Sequence, residues 1–222
     1  MKIACLGGGP AGLYSAISIK LRDAAHDVTV FERNRSDDTF GWGVVFSNET
    51  FENIATNDPA SAQAIREHFA YWDDIAVHYR GQRIVSTGHG FSGIARKTLL
   101  SLLQERAREL GAKLRFHTEV ASAGELATEY DLVIAADGLN SKTRNEFAHA
   151  FKPAIETRKN KFVWLGTRQK FDDAFTFIFE ETEHGWVWAH AYQVASEHST
   201  MKVAVSASNV RKRPGASSIS RR

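Results

Sequence analysis

Gly7, Gly9 and Gly12 stand in the pattern Gly-x-Gly-x-x-Gly, and Glu32 follows twenty residues after the last of them. The flanking residues give that spacing a chemistry. Lys2 to Leu6 (KIACL) reads as a short buried strand, and Asp27 to Phe31 (DVTVF) as a second. Between them, Pro10 to about Leu21 reads as a helix, with Leu13, Ala16, Ile17, Lys20 and Leu21 on one face. The glycines therefore fall in a strand-to-helix turn. Gly7 allows the tight turn, Gly9 lets the backbone approach a pyrophosphate, and Gly12 lets helix and strand pack closely. Pro10 and Ala11 open the helix, whose free N–H groups and positive dipole end face the phosphates. Glu32, at the carboxyl end of the second strand, is placed to accept hydrogen bonds from a ribose 2′-hydroxyl. It would repel a 2′-phosphate, so the site suits FAD or NAD and not NADP. The alternative is a Gly-rich turn that merely lets an α/β unit fold.

The elements that must position these residues continue the pattern. Residues 50 to 70 read as helical, and Ile75, Val77 and Tyr79 alternate into an Arg80-Gly81-Gln82 turn, a hairpin over about 73–92. A helix runs from about Arg96 to Leu110 and stops at Gly111. Leu114, Phe116, Thr118 and Val120 alternate with polar residues, which predicts a strand with one wet face. Asp131 to Ala136 (DLVIAA) reads as a strand buried on both sides of a parallel sheet, ending in Asp137-Gly138 where ligands bind such sheets. After about Pro153, paired aromatic stripes such as Phe175/Phe177/Phe179 and Trp186/Trp188 predict antiparallel sheet. The predicted fold is α/β: a Rossmann-type βαβ domain with a parallel sheet over residues 1–155, which includes the hairpin as an insertion. A partial antiparallel-sheet subdomain follows over 156–205, and 206–222 reads as a disordered basic tail.

Composition narrows the classes. At 43% hydrophobic and 24% charged residues the 222-residue chain is ordinary for a globular protein. No stretch approaches the ~20 apolar residues that span a bilayer, and the N-terminus enters a strand directly, so no membrane partner and a cytoplasmic location are expected. Cys5 has no partner for a disulfide and reads as a small buried hydrophobe. The nine histidines have no metal-ligand spacing, so no metal is expected. Six basic and no acidic residues follow Glu197; removing them from the net charge of +2 leaves −4 for residues 1–197. The basic character belongs to the tail, which argues against a nucleic-acid partner.

Together, the dinucleotide turn, the acidic ribose partner and the Asp-Gly after a later strand resemble the single-component FAD-dependent aromatic hydroxylases. Arg96-x-x-Leu99-x-x-x-Leu103 is similar to that family's arginine helix near the flavin, and the segment from Val133 to Arg144 (VIAADGLNSKTR) to its Asp-Gly fingerprint. Asp38 to Ser47 and Phe175 to Trp186 resemble the branch with salicylyl-CoA 5-hydroxylase, 2-aminobenzoyl-CoA monooxygenase and the violacein-pathway tryptophan hydroxylase. The resemblance covers residues 1 to about 200. It implies FAD as cofactor, NADH or NADPH as transient reductant, O2, and a small aromatic substrate, with a CoA thioester among its forms. It also implies cofactor contacts from Arg33 and Arg96 to phosphates, from the Val120 backbone to adenine, and from Asp137 and Gly138 to the pyrophosphate. No side chain is implied as catalytic in the strict sense. Trp42, Gly43 and Val44 are candidates for the flavin-side wall of a substrate pocket. The family's later Gly-Asp fingerprint does not occur, so a C-terminally truncated chain is expected, with residues after about 200 outside the resemblance. A non-hydroxylating FAD- or NAD-linked reductase, and an inactive nucleotide-binding product, stay open.

Overall fold

The computed structural model describes residues 1–171, 174–183 and 185–206; of the tail expected to be disordered, 207–222 lie outside the described residues. The chain begins β1 (Lys2–Leu6), α1 (Pro10–Arg22), β2 (Asp27–Phe31), β3 (Gly43–Ser47), α2 (Asn48–Asn57) and α3 (Pro59–Arg66). It continues with β4 (Ala70–Trp72), β5 (Asp74–Tyr79), β6 (Gln82–Ser86), β7 (Phe91–Ala95), α4 (Arg96–Glu109), β8 (Lys113–Arg115) and α5 (Ala123–Leu126). The remaining elements are β9 (Leu132–Ala135), α6 (Lys142–Glu146), α7 (Ala148–Phe151), β10 (Lys161–Thr167), β11 (Ala174–Thr182), β12 (Gly185–Ala195) and β13 (His198–Val205). Residues 1–71 and 91–155 form one compact unit; 72–90 and the described residues from Glu156 to Ser206 form a second. Among the described residues no helix is long and apolar enough to cross a membrane.

In the first unit a parallel sheet runs in the order β8-β2-β1-β9. The period of two sends Ile3, Cys5, Val28 and Val30 to one face, where they join Leu13 and Ile17 of α1 and Leu99 and Leu103 of α4. Leu13 is fully buried, worth about 1.5–3 kcal/mol for a side chain of that size. The other face carries a smaller cluster, with Ala4, Leu6 and Phe31 against Ala123 and Tyr130. Burial pushes the Cys5 thiol up to about 11, as expected of an inert core residue. The helical stretch read over 50–70 divides at Asp58, because Pro59 cannot continue α2 but suits the first position of α3.

Two sequence expectations are corrected here. The strand read over 113–120 pairs with β2 only through Lys113–Arg115, and His117 adopts a left-handed φ of +52° that ends regular pairing. Burial still alternates from 112 to 120, which is the signal that periodicity detected. The run at 131–136 is not buried on both sides: β9 is the edge of the four-stranded sheet, and Leu132 is 43% exposed.

The second unit is a six-stranded sheet in the order β10-β13-β12-β11-β5-β6. Its strands run antiparallel except where β11 pairs in parallel with β5. The β5–β6 hairpin turns at Arg80 and Gly81, both at positive φ, as a two-residue hairpin requires.

Candidate dinucleotide-binding site

The turn between β1 and α1 is fixed by backbone approach. Gly7 has φ +103°, donates its N–H to the Phe31 carbonyl at 2.8 Å, and a Cβ there would strike the Ala136 carbonyl. A Cβ on Gly12 would strike the carbonyl oxygen of Gly7. Gly9 differs: it needs no left-handed conformation, and a Cβ would meet nothing within 4 Å. Its front is open space, as a ligand passing close to the backbone would need. Gly9 is the N-cap of α1 and no side chain caps that helix, so its first-turn N–H groups are left for an anionic partner.

Glu32 stands across from this turn. One carboxylate oxygen accepts from the Gly8 N–H at 2.8 Å; the other accepts from the Asn34 N–H at 2.8 Å and the Asn34 side-chain amide at 2.6 Å. A carboxylate has about four lone-pair sites, so these three bonds leave capacity for a sugar hydroxyl. Beyond β8 the chain stays alongside: Thr118 N–H donates to the Glu32 carbonyl at 2.9 Å and His117 N–H to Asn34 at 3.1 Å. Those bonds carry Glu119 and Val120 to the same opening.

The result is a cavity of about 220 Å³. Of the residues singled out from sequence, Gly7, Gly9, Glu32, Arg33, Val120, Asp137 and Gly138 line it. Pro10, Ala11 and Gly12 form the first turn of α1, next to its wall. Arg96 does not line the cavity. It starts α4, donating its backbone N–H to Trp42 at 2.9 Å, and its buried Nε has no hydrogen-bond partner among the described residues. Trp42, Gly43 and Val44 also lie outside the cavity. Gly43 pairs with Ala95 across β3 and β7, Val44 packs on the core, and Trp42 is 54% exposed.

Asp137 lines the cavity with its carboxylate engaged in its own loop. It accepts from the Ser141 hydroxyl at 2.6 Å and from the Thr143 N–H and hydroxyl at 3.2 Å. Burial works against its charge, but these bonds outweigh burial and hold its carboxyl below the usual carboxylate range. Gly138 beside it has φ +80°, so the bend needs glycine. Across the cavity Glu119 accepts from the Lys142 ammonium, the main cause of its own lowered pKa. Glu146 accepts from the Ser122 hydroxyl at 2.7 Å and the Ala123 and Gly124 N–H groups at 3.0 and 3.1 Å, pinning the turn into α5.

Several of these partners escape a sequence reading. Gly8 had a local signal, three consecutive glycines: its own Cβ would sit 2.8 Å from that of Glu32. Ser141 announced itself as a helix cap two residues before Thr143. Asn34 reaches Glu32 from two residues away, whereas Glu119, Lys142 and Glu146 meet their partners only through tertiary contacts and had no such signal.

A parallel sheet with a Gly-rich first turn, followed by a largely antiparallel second sheet, is a fold found among flavoprotein oxygenases. A solved 2-methyl-3-hydroxypyridine-5-carboxylic acid oxygenase superposes with TM-score 0.80 over 95% of this chain and 60% of its own, at 19% identity. The solved structure of CtdE in complex with FAD and a substrate gives 0.68 over 92% and 57%, also at 19% identity. In sequence the chain is similar to a salicyloyl-CoA 5-hydroxylase from a Streptomyces species, 46% identical over 203 residues. That match takes in 91% of this chain and 39% of the relative. The chain spans 39–56% of the length of the curated relatives it matches. No protein-family model matches it.

Proposed function

We propose that the first unit holds the adenosine diphosphate half of FAD, and that the chain is part of a monooxygenase hydroxylating an activated aromatic ring. NADH or NADPH would be the reductant and O2 the oxygen source. The observation that carries this reading is the pairing of Glu32, with acceptor capacity left over, and Gly9, with nothing in front of it, on one cavity. FAD supplies, when bound, the activation of O2 for insertion of one oxygen atom into the ring.

The chain's own groups bind and orient. Glu32 takes the ribose hydroxyls, the uncapped start of α1 takes the pyrophosphate, and Val120 with its neighbours walls the adenine. Asp137 shapes the loop that presents Gly138, its carboxylate held in that loop by Ser141 and Thr143. Arg96, with a buried Nε lacking a partner, is the cation available to an anionic part of the ligand outside the cavity. The similarity to salicyloyl-CoA 5-hydroxylase favours an acyl-activated hydroxybenzoyl ring as substrate. Fluorescence titration of the purified chain with FAD tests the reading: saturable binding that collapses in Glu32→Ala is expected. Failure of the unaltered chain to bind FAD would sink it. Spectral titration of the FAD-loaded chain with NADH and salicylyl-CoA separates the hydroxylase from a non-hydroxylating reductase.

A further inference from the structure

The second unit carries an unexplained pair of polar groups in an aromatic surface. His190 on β12 stands opposite Phe177 on β11 and Lys202 on β13. Its ring stacks on Trp188 at 5.8 Å, meets Phe175 edge-on at 5.8 Å and lies tilted against Phe177 at 5.9 Å. The Lys202 ammonium lies 4.0 Å over the Phe162 ring. Neither side chain has a hydrogen bond or ion pair among the described residues, although both are half-buried. Neither is among the fully buried polar atoms left without a partner, so both keep access to solvent and to a ligand. Burial, then the Lys202 charge, lower the His190 pKa, so at pH 7 the ring is neutral and has one donor and one acceptor nitrogen.

Side chains directly opposite on neighbouring strands stand about 5 Å apart at Cβ, close enough for their polar ends to reach one small ligand together. We propose that His190 and Lys202 form a recognition pair for an aromatic acid or its acyl derivative. The ring lies among Trp188, Phe175 and Phe177, its hydroxyl bonds to His190, and its acyl oxygen meets Lys202. The charge fits, since Lys202 is a cation without an anionic partner among the described residues. The assignment rests on the proposed aromatic hydroxylase reading for the identity of its ligand, and makes His190 a specificity residue and not a catalytic one.

Calorimetry of the purified chain with salicylate and with benzoate, which lacks only the ring hydroxyl, tests it; neither probe carries a nucleotide that could enter the first unit. Salicylate should bind at least fivefold tighter than benzoate. His190→Phe should bring the two within twofold, His190→Gln should retain the preference, and Lys202→Met should weaken both about tenfold. FAD affinity, read separately, should stay unchanged in all three variants. A salicylate preference that survives in His190→Phe, or no preference in the unaltered chain, overturns the pair. A chain that prefers salicylate through His190 yet ignores FAD would keep the pair and overturn the flavin reading alone.

Discussion

Glu32 does two jobs with one carboxylate, holding the Gly8 amide and offering acceptor capacity to a ribose. That coupling makes Gly8 a functional position although it is an x in the motif. In Gly8→Ala the new methyl, 2.8 Å from the Glu32 Cβ, must push that side chain aside. FAD affinity should fall by about 1–3 kcal/mol, roughly fivefold to 150-fold in Kd, with little change in far-ultraviolet dichroism. Fluorescence titration checks this, and an unchanged Kd would separate the Gly8 contact from binding. Asp137 gives a pH signature. Its folded pKa lies below the ordinary carboxylate value, so its bonds to Ser141 and Thr143 contribute in full above that value and are lost as pH falls through the folded pKa. Asp137→Asn should therefore flatten the acid side of the stability curve between about pH 4 and the folded pKa. Urea midpoints of both proteins from pH 7 to 3 measure it; parallel curves would assign the acid limb to other carboxylates.

At the scale of elements, a buried ion pair ties two helices of the first unit together away from the cavity. Asp58, 1% exposed, joins α3 to α4 through a two-pronged contact with Arg106, Nε and a terminal nitrogen each at 2.9 Å, and also accepts from the Ser61 hydroxyl at 2.6 Å. Burial opposes the Asp58 charge, but the Arg106 bonds outweigh it and lower its pKa. Asp58→Ala leaves the guanidinium without its main partner and should cost about 3–5 kcal/mol, toward the lower end because Arg106 keeps some solvent and Glu109. Denaturant unfolding should register that loss while FAD affinity in the folded protein stays unchanged. Nothing in the spacing of Asp58 and Arg106 announced this pair, since periodicity reports faces and not partners. The same limit explains β8. Alternation from Leu114 to Val120 correctly marked which side chains turn inward, but it could not foresee the left-handed turn at His117 that ends the strand. At β9, apolar composition was mistaken for two-sided burial, because an edge strand and a central one share the same residues. The glycine turn was legible because much of its constraint is local: Gly7 turns at positive φ and Gly12 meets the Gly7 carbonyl within one βαβ unit, although the Ala136 carbonyl that also crowds Gly7 comes from just past β9.

For the whole molecule, the six-stranded sheet of the second unit ends in a strand that invites association. Every residue of β10 from Lys161 to Gly166 is exposed, with Phe162 at 57%, Val163 at 55% and Leu165 at 45%. On one side β10 pairs with β13 throughout; on the other its backbone N–H and C=O groups have no strand among the described residues. From Phe162 to Thr167 it has no charge, no proline and no bulge, the devices that usually protect an edge. Concentration-dependent self-association through β10 is therefore expected of the isolated chain, and a charge placed on the strand should suppress it. Leu165→Lys keeps the ladder with Met201 and puts an ammonium on a position already open to water. Sedimentation velocity over a tenfold concentration range should find the parent drifting to larger species and the variant holding as a monomer at low salt. If parent and variant associate alike, the sticky surface lies elsewhere than β10.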